Sequence, residues 1–152
     1  MNRIIALLAV IFVSAVLPAE AGAGRFVQKL KLPSQLTAVV AEGDFEARST
    51  GSFSVRLYSS ENAQPGDDTT FFVTGLIRGR DGWIEKLELA DIDGDGKPEI
   101  IVLVRSGGVG LSLSAHAFAF AKERLWLRAS VVDLEKDDNP IAALKKAKMN
   151  NQ

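Results

Sequence analysis

No cysteine occurs in the chain, and two architectures are excluded with it. A lipoprotein needs a cysteine at its processing site, and a small secreted scaffold stapled by disulfides needs several. Only one histidine, His116, is present. With the thiol missing, that removes the common nucleophile and base pairings, and no Ser/His/Asp spacing forms a recognisable nucleophile elbow. A surplus of one charge is lacking too: 18 basic residues face 19 acidic ones for a net of −1. Nucleic-acid binding would want a basic excess, so that class of partner is not expected. Beyond the first residues no apolar run is long enough to cross a membrane. No linker divides the chain, and no self-similarity appears at the periods of about 20–50 residues that mark solenoids and propellers.

What is present begins with an export signal. Asn2 and Arg3 precede an apolar run over 4–16 interrupted only by Ser14, too short to span a bilayer comfortably. Pro18 ends that helix, and Ala19-Glu20-Ala21 and Ala21-Gly22-Ala23 form two overlapping small-residue cleavage sites. The pattern predicts a signal peptide over 1–23, against the alternative of an uncleaved anchor, and a free periplasmic domain over 24–152 with no membrane contact once the peptide is removed. Cleavage takes away one charge of each sign, Arg3 and Glu20. The remainder, roughly 130 residues, is long enough for a single domain to rely on an ordinary hydrophobic core.

From Arg25 onward the apolar period changes to two. Phe53, Val55 and Leu57 alternate with Ser54, Arg56 and Tyr58, the mark of a half-buried strand. Similar stretches cover 26–32, 36–42, 70–77, 83–89, 99–105, 111–120 and 125–132. The breaks carry turn chemistry: 62–68, Arg80-Asp81-Gly82, Asp93-Gly94-Asp95-Gly96 and 106–110. Short turns favour antiparallel neighbours. Near the end Asn139 suits a helix cap and Pro140 a first turn, with Ile141, Ala142, Ala143, Leu144 and Ala147 supplying an apolar face for the sheet. The expected fold is all-β: an antiparallel, sandwich-like domain of about eight strands with a short C-terminal helix.

Three constellations could carry function. The run from Asp91 to Glu99 (DIDGDGKPE) offers carboxylates at Asp91, Asp93, Asp95 and Glu99 around turn-forming glycines. Calcium takes six to eight oxygens at about 2.3–2.6 Å, so these four residues are a candidate calcium site resembling the loops of EF-hands and FG-GAP repeats. An EF-hand would need flanking helices and a glutamate where Val102 stands. The bland alternative is a solvated Asp/Gly turn. Alternation puts His116 on the same strand face as Ser112, Ser114, Phe118 and Phe120, and it reads as structural. Glu85, Glu88 and Asp91 are ordinary strand-face charges, which leaves a glycosidase pair little support. The third constellation is the loop Arg105, Ser106, Gly107, Gly108, Val109, Gly110, Leu111, Ser112. Glycine permits close approach to another surface, and a guanidinium with hydroxyls suits carboxylates. Here the plain alternative is a glycine hairpin whose Arg105 is paired within its own sheet.

Three segments, 38–58, 79–108 and 113–120, together resemble the periplasmic inhibitors of invertebrate-type (I-type) lysozymes. The likeness covers most of the mature chain and rests on length and order more than on one motif. It implies a β-sandwich, often a homodimer, that performs no chemistry and blocks an I-type lysozyme by inserting a loop into its substrate cleft. The corresponding loop here joins 99–105 to 113–120. Family members carry a serine and then a tyrosine in that loop. The matching positions hold Val109 and Ser112, with Ser106 an alternative serine, so the tyrosine is absent. Two other readings stay open: a calcium-dependent periplasmic binding or adhesion module built on Asp91, Asp93 and Asp95, and a periplasmic enzyme acting on cell-wall carbohydrate.

Overall fold

The computed structural model describes residues 24–149, and the expected signal peptide lies outside them. Eight strands run in order: β1 Val27–Lys31, β2 Thr37–Glu42, β3 Thr50–Ser59, β4 Phe71–Asp81, β5 Trp83–Ala90, β6 Glu99–Arg105, β7 Leu113–Ala121 and β8 Arg124–Leu134, followed by helix α1 Pro140–Met149. They form two four-stranded antiparallel meanders, β1-β2-β3-β4 and β5-β6-β7-β8. The all-β sandwich with a C-terminal helix that the apolar pattern predicts is therefore the observed fold.

Period two does most of the packing. Phe53, Val55 and Leu57 of β3, fully buried, meet Ile100, Val102, Val104 and Phe118 across the sandwich, while their neighbours Ser54, Arg56 and Tyr58 face the other way. Strand β6 departs from this alternation because both of its faces are covered. Ile101 and Leu103 pack beneath α1 with Ala115, Ala117, Ala129 and Leu144. A continuous apolar run is what a strand buried on both faces requires. The helix starts as expected: the Asn139 side chain accepts from Ala142 N–H at 3.0 Å and its carbonyl from Ala143 N–H at 3.0 Å.

One break is not the turn that its sequence implies. Strands β4 and β5 are separated only by Gly82, yet they do not pair; the chain leaves one sheet there and enters the other. Arg80 holds this corner. Its buried guanidinium donates to the carbonyls of Ser52 at 3.0 Å, Arg48 at 2.9 Å and Ala47 at 3.0 Å, and to that of Gly82. A buried cation is tolerable only when its donors are used in this way.

Because neighbouring strands alternate in direction, the connections sort to two ends. The β2–β3 loop, the Gly82 corner and the β6–β7 loop share one end; the β3–β4 loop and the β5–β6 turn share the other. The Asp/Gly turn and the glycine loop, singled out separately in the sequence, are thus separated by the full length of β6, about 20 Å at strand rise.

Candidate functional site

The loop between β6 and β7 is a hairpin closed by Ser106 N–H donating to the Ser112 carbonyl at 2.9 Å. Within it, Gly108 N–H donates to Ser106 Oγ at 3.1 Å. Leu111, expected at the start of a strand, instead takes a left-handed φ of 48° next to Gly110 at 103°, and β7 begins two residues later. The turn exposes Val109 completely and Leu111 to 53 %. Ser112 is half-buried, and its hydroxyl donates to Asp133 Oδ1 at 3.4 Å on the surface. Gly107 rests on Ser49 of the β2–β3 loop, where an added Cβ would stand 3.6 Å from Ser49 Cβ.

Arg105 does not project from the loop. Its Nε and Nη2 donate to the Glu85 carboxylate at 2.5 and 2.8 Å, and its Nη1 donates to the Leu111 carbonyl at 2.8 Å. This bidentate pair lowers the pKa of Glu85 and raises that of Arg105. Glu85 reaches Arg105 because the β5–β6 register slips there: Ile84 lies opposite Val104 and Lys86 opposite Leu103, leaving Glu85 as the extra residue. A bulge re-aims a side chain in this manner. Arg105 therefore ties the far side of the loop to the sheet, the internal pairing that its composition left open.

At the opposite end, Asp91, Asp93 and Glu99 bring one carboxylate oxygen each within 4.8 Å of one another. Asp95 is outside this group: its Oδ1 accepts from Lys97 N–H at 2.7 Å on an exposed turn. The expected set of four is therefore a set of three. Asp91 caps the turn, accepting from Asp93, Gly94 and Gly96 N–H groups, and the bonds from Gly94 and Gly96 chiefly lower its pKa. Arg128 supplies positive charge, with Nη2 at 2.9 Å from Asp93 Oδ2. Glu99 is buried and accepts from Ile92 N–H at 3.0 Å. Burial raises its pKa, and the Asp93 and Asp95 charges add to the effect.

A carboxyl that holds its proton more tightly in the folded state loses stability as pH rises from the ordinary 4.5 through the raised value. Glu99→Gln removes that penalty and keeps an acceptor for Ile92. We expect its Tm at pH 7 to rise by about 2–5 °C, and a fall would show that the charge is needed. Repeating the melts in millimolar calcium tests the cation reading. A cation held by these carboxylates would raise the wild-type midpoint by mass action, and the gain would disappear in the variant.

His116 lies between these ends, buried against Phe53 with ring centroids 6.0 Å apart, its Nδ1 sharing a 2.9 Å hydrogen bond with Ser130 Oγ. It is the structural strand residue that alternation implies. Glu85, Arg80 and Gly82, read in the sequence as a strand-face charge and a turn, and Ser49, not singled out there, are the residues that build this end of the molecule. Each acts through one bulge, corner or loop contact that has no periodic signature.

A two-sheet sandwich that gathers hydrogen-bonded loops at one end has the form of a small binding domain. The chain belongs to the family described as periplasmic lysozyme inhibitor of I-type lysozyme, whose model matches residues 24–148. It is similar to the crystal structure of PliI-Ah, the periplasmic lysozyme inhibitor of I-type lysozyme from Aeromonas hydrophyla: 42 % identity, TM-score 0.72, 78 % of this chain and 98 % of that one covered. It is equally similar to Aeromonas hydrophila PliI in complex with Meretrix lusoria lysozyme, at 42 % identity and TM-score 0.72, covering 79 % of this chain and 95 % of that one. No match was found among curated protein sequences.

Proposed function

We propose that this chain is a periplasmic inhibitor of I-type lysozyme that seats its β6–β7 loop in the enzyme's substrate cleft and so protects peptidoglycan. The observation that carries the reading is the 42 % identity over nearly the whole length of a PliI that has been crystallised with a lysozyme. The inhibitor performs no chemistry in this scheme. A glycosidase cleft commonly holds two carboxylates, and the loop offers backbone N–H groups and the Ser106 hydroxyl beside apolar Val109 and Leu111. Because Glu85 and Arg105 hold Leu111 in place, the loop is ordered before it binds and loses little entropy on docking.

Titrating I-type, C-type and G-type lysozymes with the mature domain in a cell-wall lysis assay tests this. Selective loss of I-type activity near stoichiometry is expected, and full activity of every class would refute the reading. Glu85→Ala and Arg105→Ala separate two roles for the arginine. As a brace, either loss weakens inhibition by about tenfold, equivalent to about 1.4 kcal/mol. If Arg105 bonds the enzyme directly, Glu85→Ala is much the milder change.

A further inference from the structure

The β2–β3 loop, residues 43–49, is held at almost every position but its tip. Gly43 N–H donates to the Ser52 carbonyl at 2.9 Å. The Glu46 carboxylate accepts from the N–H of Ser52 and, at 2.7 Å, from its hydroxyl, while Arg25 donates to the Glu46 carbonyl. Arg80 takes the carbonyls of Ala47 and Arg48, and Gly82 N–H donates to the Ser49 carbonyl at 2.7 Å. At the tip, Phe45 is fully exposed, at 102 %, with a left-handed φ of 60°.

Neither property helps the fold. A bulky side chain at positive φ is sterically disfavoured, and an exposed phenyl ring gains nothing from burial. Strain of this kind persists where the surroundings impose it, and it concentrates at binding sites. The position of the ring suggests its use. Ser49 of the same loop lies beside Gly107 of the β6–β7 loop, where an added Cβ would stand 3.6 Å from Ser49 Cβ, so Phe45 shares one end of the sandwich with exposed Val109 and Leu111.

Resting on the lysozyme-inhibitor reading, we infer that Phe45 is a second anchor on the enzyme: a rigid aromatic that docks beside the cleft while the β6–β7 loop enters it. Aromatic side chains on ordered supports are frequent binding hot spots because they bury area at little entropic cost. The bound partner is the I-type lysozyme, and the surface continues the one proposed for the cleft-filling loop.

Two substitutions test the inference in the mature domain, with inhibition of I-type lysozyme and Tm measured together. Phe45→Ala should weaken inhibition tenfold or more, chiefly through faster dissociation, with Tm unchanged. Phe45→Asn relieves the backbone, since Asn tolerates the left-handed region. It should weaken inhibition similarly while Tm holds or rises. Ile77→Ser, on another exposed surface of the first sheet, should inhibit like wild type. If wild type inhibits and both Phe45 variants match it, the second anchor is wrong and the cleft-filling loop stands alone. If wild type does not inhibit, the functional reading itself fails. If the variants only turn a dimer into a monomer in sedimentation, with inhibition intact, Phe45 serves a second copy of the chain and the inference is overturned.

Discussion

Gly82→Ala should destabilise the domain severely, lowering stability by about 3 kcal/mol or more. Gly82 sits at φ 112° where the chain passes between sheets, and an added Cβ would lie 1.8 Å from the Arg105 carbonyl oxygen, 2.7 Å from its carbon and 2.9 Å from Ser106 Cα. All three atoms are backbone, so no side-chain rotation relieves the clash. The corner and the root of the β6–β7 loop would have to separate, breaking the Gly82 N–H bond to Ser49 and disturbing the Arg80 contacts. Urea unfolding followed by circular dichroism measures the loss, and the molecules that stay folded should inhibit poorly because their loop has moved. Gly79→Ala is the control. Its Cβ would meet only the Gly51 carbonyl oxygen, at 3.9 Å, with no positive φ. Equal midpoints for the two variants would mean that the corner relaxes at little cost.

Acidification should destabilise the domain in a window set by His116. Burial, helped by the nearby Arg78 charge, lowers its pKa from 6.5 to about 4. Above pH 6.5 the imidazole is neutral in both folded and unfolded chains, and its contribution is fully present. Between 6.5 and about 4 the unfolded chain takes up a proton that the folded chain refuses, so stability falls with pH. Across the whole window the loss is about 3 kcal/mol. His116→Gln can still hydrogen-bond Ser130 and should flatten this part of the curve in urea titrations at successive pH values. Glu99, whose raised pKa gives a slope of opposite sign, stays in place in both proteins and cancels from the comparison. If the variant loses stability as steeply as wild type, His116 is not the group responsible.

Strands such as β3 were legible because they bury one face, which writes itself as alternation, and β6, buried on both faces, was legible as a continuous apolar run. Strand β6 was predicted with its observed bounds, and the helix cap was readable because Asn139 acts on residues three and four positions away. The corner at Gly82 was not. Arg80-Asp81-Gly82 has the composition of a hairpin turn, and nothing local reveals that β5 enters the other sheet. For the same reason Arg80 looked like a turn residue, although it is the cation on which four carbonyls converge. The Asp/Gly turn was readable as a cluster of carboxylates but not as a set of three, since which oxygens converge depends on how the turn folds over Glu99.

The loop candidates divide in the same way. Glycine content marked residues 105–112 as a place of close approach, and Gly107 does lie against Ser49. The role of Arg105 was beyond the sequence, because the bulge that brings Glu85 to it arises from pairing between β5 and β6. Phe45 carried no signal, as a lone aromatic among polar residues is equally consistent with a small core and an exposed tip. By itself the sequence determined the strand count, the terminal helix, the structural character of His116 and the family, all consequences of local periodicity or of residue order. Tertiary structure alone decided which strands share a sheet, which end each loop occupies and which charges are paired, because those follow from contacts between residues far apart in the chain.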